Sequence, residues 1–113
     1  MLIRIHCYQH QKEERERRVD YNKYLEYVRE QPCCVCMKTP VDADHLETIG
    51  MGRNRKIRGP YDLSCIPLCR EHHNHRHQYG SAKFFKIYRV DIWREAFDTL
   101  RRYILDERQN IFR

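Results

Sequence analysis

At 113 residues the chain has room for one domain, and only 25 of those residues are Leu, Ile, Val or Phe. With 34% of the residues charged and a mean hydropathy of −0.91, a large apolar core is excluded, and a fold of this size needs a staple. The formal net charge of +6 favours an anionic partner, nucleic acid being the usual one for a basic domain, and no stretch reaches the length of a membrane span.

The opening residues Met1-Leu2-Ile3-Arg4-Ile5-His6 are charged by the fourth position and lead into no apolar run, so no secretory signal is expected. The expected compartment is a reducing cytoplasm. There, grouped cysteines read as metal ligands before disulfides. Residues 1–19 carry the run Lys12-Glu13-Glu14-Arg15-Glu16-Arg17-Arg18, mixed charge without apolar period, which reads as a solvated arm preceding a single domain over 20–113.

From Asp20 the pattern changes. Tyr21, Tyr24, Leu25 and Val28 fall on one helical face, Asp20 stands where an N-cap belongs, and Pro32 stops the helix. The chain then enters Cys33-Cys34-Val35-Cys36. Strands are predicted over 41–46 and 63–68, with Gly50, Gly52, Gly59 and Pro60 punctuating a basic loop between them. A helix is predicted over 70–79, closed by Gly80. Ser81 is then read as the cap of a short helix with Phe84, Phe85 and Tyr88 on one side. Asp91 is read as the cap of a last helix, with Ile92, Trp93, Ala96, Phe97, Leu100 and Ile104 as core, and this helical region runs over 81–106.

Cys33-x-x-Cys36 and Cys69-x-x-His72 form two close pairs. Together they supply the ligands of a tetrahedral Zn²⁺ with no open position, a structural site that would add the folding free energy the small core lacks. Cys34 and Cys65 lie near enough in sequence to replace an assigned ligand, and the spacing does not decide between them. Beyond this knuckle, His73 and His77 are one helical turn apart and share a face. His72 is rotated from His73 by about 100°, the step of an α-helix. The helix can therefore present His72 to the structural zinc and His73 with His77 to a second site.

The ordered set Cys33-x-x-Cys36, Asp44-His45, Asp62-Leu63, Pro67-Leu68-Cys69-x-x-His72-His73 and His77 resembles the HNH (ββα-metal) endonucleases with an embedded zinc ribbon. Ile66-Pro67-Leu68-Cys69-Arg70-Glu71-His72-His73 looks most like the phage-borne and recombination-associated branch, which includes RecA-dependent nucleases. The resemblance covers roughly residues 20–105. It implies a small α+β fold, a ββα-metal unit with an inserted structural zinc knuckle over 33–79, flanked by N- and C-terminal helices. It implies an endonuclease that hydrolyses DNA phosphodiester bonds, acting in phage DNA recombination or processing in the host cytoplasm, with DNA and a recombination protein such as RecA as partners.

Carried over by position, the resemblance makes Asp44, His73 and His77 ligands of a catalytic divalent ion and His45 the general base. An imidazole with its ordinary pKa near 6.5 suits that task. An oxygen and imidazole donor set accepts Mg²⁺, Mn²⁺ or a later metal such as Ni²⁺ or Zn²⁺. Asp62 stands where the family commonly has Asn. A carboxylate still accepts hydrogen bonds from backbone N–H groups, but it cannot donate as an amide does. His6, His10 and His75 are read as surface or hydrogen-bonded residues. The loop residues Arg53, Arg55, Lys56 and Arg58 are the first candidates for phosphate contact, with Arg70 and Arg76 behind them. Nothing suggests base-specific readout. The rival expectation is a non-catalytic zinc module binding DNA or a recombination protein, and RNA is a further possible substrate.

Overall fold

The computed structural model describes residues 19–46 and 57–111, with side chains as far as residue 107. The charged arm over 1–18, including His6 and His10, and the loop residues Arg53, Arg55 and Lys56 lie outside the described residues. The described elements are α1 (Tyr21–Glu30), β1 (Asp42–His45), a 3-10 turn (Pro60–Leu63), β2 (Cys65–Leu68), α2 (Arg70–Tyr79), α3 (Ser81–Tyr88) and α4 (Ile92–Ile111). This is a small α+β architecture in which helices surround one antiparallel strand pair.

Helix α1 begins where its sequence says it should. Asp20 Oδ1 accepts the Lys23 N–H (3.1 Å), and the helix buries Tyr21, Tyr24, Leu25 and Val28. Each of those aliphatic side chains contributes about 1.5–3 kcal/mol on burial. Tyr24, Leu25 and Val28 form a cluster with Cys65, against which Tyr103 of α4 packs. Tyr103 meets the Tyr24 ring edge-on at 5.0 Å, and Lys23 and Tyr27 reach Glu107 (2.6 Å) and Asp106 (3.1 Å). The first and last described helices are thus tied to each other.

The strands pair in the register Asp42 with Leu68, Ala43 with Pro67, Asp44 with Ile66 and His45 with Cys65, and Leu46 N–H extends the ladder to Ser64 O (2.8 Å). Both strands are shorter than predicted. Leu63 belongs to the 3-10 turn, because Asp62 and Ser64 close tight turns onto Gly59 and Tyr61 (2.9 and 3.1 Å) before the chain extends. All four residues of β2 are buried, and Ile66 and Leu68 join Cys33, Val41, Leu46, Phe84, Ile92 and Ala96 in the second cluster.

Helix α2 spans the predicted residues and ends at Gly80, whose φ of +81° and ψ of 163° suit only glycine. Two expectations need correction after it. Ser81 is the first residue of α3 and makes no cap; Gly80 precedes it. The last helix is not apolar toward the core throughout: Ile92 and Ala96 are buried, while Trp93, Phe97 and Ile104 are exposed, as is Phe85 on α3. The physical reason is helical rotation: Trp93, Phe97 and Ile104 lie on the face beside the packed one. The face of α4 that meets the core runs from Ile92 and Ala96 through the buried Thr99 to Leu100 and Tyr103, which pack on the Tyr24 cluster. Asp91 does cap α4, accepting the Trp93 and Arg94 N–H groups at 3.1 and 3.3 Å. No helix among the described residues is long and apolar enough to cross a membrane.

Candidate metal centres on two faces of one helix

Three groups of ligand-bearing side chains gather around α2 among the described residues; one of them, Glu71 with His72 and His75, shares His72 with the first of the two described next. In the first, the ligand atoms of Cys33, Cys36, Cys69 and His72 all lie within 4.8 Å of one another. The chain between Cys33 and Cys36 is a tight turn: Cys33 N–H donates to Lys38 O (3.0 Å) and Met37 N–H to Cys33 O (2.8 Å). Met37 adopts φ +65° to close it, an unusual conformation for a side chain of that size. Cys34 N–H donates to Pro67 O (3.0 Å), pinning the turn to β2, and Cys69 leads directly from β2 into α2. Cys36 and Cys69 Sγ atoms are 3.8 Å apart, and Cys69 Sγ and His72 Nδ1 are 3.2 Å apart. A tetrahedron built on ordinary Zn–S bonds separates its sulfurs by about 3.8 Å. The cluster could hold a metal ion such as zinc.

The thiols in and around the cluster differ in their electrostatics, and burial raises that of Cys69. Burial pushes the Cys33 thiol up, but backbone N–H groups of Cys69, Cys36 and Val35 and the His72 ring outweigh it and bring it down to about 7. Burial pushes the Cys34 thiol up to about 12 and raises Cys65 further, Cys65 being enclosed by the Tyr24 cluster. A metal ligand must be a thiolate. Geometry selects among the cysteines: the ligand atoms of Cys33, Cys36, Cys69 and His72 converge, and neither Cys34 nor Cys65 joins them.

The second cluster joins Asp44, His73 and His77, again with ligand atoms within 4.8 Å of one another. Asp44 sits on β1, 1% exposed, and two turns of α2 stand over it. Its Oδ1 is 3.3 Å from His73 Nε2 and 3.1 Å from His77 Nε2. His73 Nδ1 meets Asp42 Oδ2 at 2.9 Å, so Asp42 holds the ring with Nε2 turned to the cluster. Carboxylates commonly orient metal-binding imidazoles in this way. The Asp44 hydrogen bond raises the His73 pKa, burial opposes it, and Asp42 adds to the rise.

Arg76 completes the arrangement. Its Nε reaches Asp44 Oδ2, and its Nη2 donates to Asp44 Oδ1 (2.9 Å) and His45 O (3.3 Å). Burial acts to raise the Asp44 carboxyl, but hydrogen bonds from His73 and Arg76 and the guanidinium charge hold it at about 2. Arg76 is 6% exposed, which corrects its reading as a surface phosphate contact: the buried carboxylate draws it inward.

His45 follows Asp44 on β1. Its Nε2 lies 2.7 Å from Oδ1 of Asp62, a carboxylate with no exposed surface whose Oδ2 accepts the Gly59 N–H (3.0 Å). The 3-10 turn carries Asp62 to the ring. Arg58, a candidate for phosphate contact, donates to Asn22 Oδ1 (3.0 Å), lies 3.6 Å from Asp62 Oδ1 and keeps 44% of its side chain exposed. Arg70 bonds Asp42 Oδ1 (3.2 Å). His75 meets the Tyr88 hydroxyl at 2.5 Å, the hydrogen-bonded role expected of it. Sequence reasoning missed Asp42 and Arg76. Both had a signal: Asp42 and Asp44 share a strand face, and His73, Arg76 and His77 share a helix face.

The fold and its clusters define a small α+β protein with a Cys/His knuckle suited to a metal ion and a second group of carboxylate and imidazole ligands beside it. The chain belongs to the family described as "Protein of unknown function (DUF968)", which matches residues 8–98. It is similar to "Uncharacterized protein YdfU" of Escherichia coli (strain K12), 40% identical over 63 residues, which are 56% of this chain and 18% of that protein. The chain thus spans less than a fifth of that relative's length. No solved structure matches it.

Proposed function

We propose that this chain is a metal-dependent endonuclease of the HNH type that hydrolyses DNA phosphodiester bonds with low sequence selectivity. One observation carries the reading. Asp44, His73 and His77 converge on a common point, while the residue beside Asp44, His45, has its Nε2 engaged by the buried Asp62. A structural metal needs no such base. The roles of the chain's residues follow. Asp62 keeps Nε2 protonated, which leaves Nδ1 of His45 to take a proton from the attacking water. Asp42 and Arg76 hold His73 and Asp44 in place for a divalent ion. Such an ion, when bound, supplies positive charge against the phosphate and the departing 3′ oxygen. The knuckle formed by Cys33, Cys36, Cys69 and His72 keeps β2 and α2 in register, so that both ligand sets stay aligned. The strand pair followed by α2 is, on this reading, the ββα-metal unit, and a place in phage DNA recombination, with a partner such as RecA, follows from the resemblance of its motifs.

A second reading has an observation of its own. Arg76 already neutralises Asp44, so the cluster is electrically satisfied without an ion, as a non-catalytic zinc module would require. A carboxylate has lone pairs beyond those Arg76 uses, which keeps the first reading ahead. Cleavage of supercoiled plasmid with and without Mg²⁺, Mn²⁺ or Ni²⁺ separates the two. Metal-dependent nicking that His45→Ala abolishes, with folding and zinc content unchanged, is the expected outcome. Intact zinc and DNA binding without cleavage under any metal selects the module.

A further inference from the structure

Helix α4 displays side chains that packing does not explain. Trp93 is 47% and Phe97 63% exposed, one turn apart, and Arg94 and Arg101 are exposed beside them. At the helical step, Trp93, Ile104, Phe97, Arg101 and Arg94 fall within an arc of about 100°. The stripe begins at the candidate metal cluster. Trp93 and Ile92 form one wall of a groove whose other wall is Arg76, His77, Gly80 and Ser81. His77 therefore belongs both to the cluster with Asp44 and to the groove.

We infer that the groove and this stripe hold a nucleic-acid strand with unpaired bases, Trp93 stacking on a base next to the reacting phosphate and Phe97 on its neighbour. The inference rests on the nuclease reading for the kind of ligand and deepens it by naming the substrate form. Aromatic faces interleaved with arginines are how proteins hold single strands without sequence preference. A helix rises about 6 Å over four residues, which suits two successive bases that have left the stack. A duplex offers no free base face to such a stripe. The neighbouring acidic Asp91 is engaged at the helix cap.

Trp93 is the chain's one tryptophan, so its fluorescence reports the site directly. The zinc-loaded full chain is titrated, without other divalent ions, against a fifteen-residue oligothymidylate and against a hairpin duplex of equal charge. The expected result is quenching by the single strand, with Trp93→Ala weakening that binding about tenfold and Trp93→Phe retaining most of it. Duplex affinity changes much less. Unquenched emission, or an equal loss for both ligands in Trp93→Ala, overturns the inference. So does sedimentation showing a dimer that Trp93→Ala dissociates, which assigns the face to a second copy. Plasmid nicking by the parent with Trp93 unquenched overturns this inference alone. Selective quenching in a chain that cuts nothing supports the strand site and defeats the nuclease reading.

Discussion

Arg76→Met tests the electrostatic logic of the second cluster, because it removes the charge while keeping much of the side-chain volume. Asp44 is 1% exposed and ionised at neutral pH, its carboxyl held at about 2. Removing one partner of a buried pair costs about 3–5 kcal/mol, since the other charge is left uncompensated. His73 and His77 remain within 3.3 and 3.1 Å, so the expected loss lies near the lower end, about 3 kcal/mol. Against a typical total of about 5–15 kcal/mol that is readily measured. The assay is urea unfolding of the zinc-loaded protein by circular dichroism at neutral pH, with Asp44→Asn and the double variant alongside. The double variant should lose less than the sum of the singles by about 1 kcal/mol or more. Mn²⁺ should restore part of the Arg76→Met loss, because an ion between Asp44, His73 and His77 supplies the missing charge. Full additivity, or a loss below about 1 kcal/mol, refutes the reasoning.

His73 gives a pH signature. Its pKa is raised above the ordinary 6.5, chiefly by Asp44, so its stabilising contribution is complete below that value and fades as pH rises through the folded-state pKa. Without divalent ions, the parent should lose stability across that window more steeply than His73→Gln, and a steeper loss in the variant would show the sign to be wrong. The knuckle assignment separates two cysteines that are two residues apart. Cys36→Ser should abolish stoichiometric zinc and cooperative unfolding, whereas Cys34→Ser, which changes a thiol pushed up to about 12, should keep one zinc per chain. Zinc lost from Cys34→Ser would reassign the ligand.

Much of the candidate site could be read from spacing. Cys33 with Cys36 and Cys69 with His72 are pairs whose close approach is set locally, by one tight turn and one helix start. The separation of His72 from His73 onto two faces follows from helical rotation alone. Helix α1 was legible for the same reason: its cap, its apolar period and the proline beyond it all act within a few residues. Exposure was not legible. Leu100 and Ile104 are both apolar and one turn apart on the same helix, yet Leu100 packs against the Tyr24 cluster and Ile104 is exposed.

What the sequence by itself determined was therefore local. It specified which residues bear ligand atoms, which helix face carries them, and where Gly80 must break the chain. The tertiary structure alone decided the pairings between distant elements. It took the meeting of β1 with α2 to turn Arg76 from a surface cation into the counter-ion of Asp44, and to set Asp42 behind His73. It took the burial of Cys65 under α1 to remove it from the ligand set. The physical reason is common to these cases: charge, protonation and exposure depend on what lies across a contact, and no periodicity along one chain segment encodes its partner.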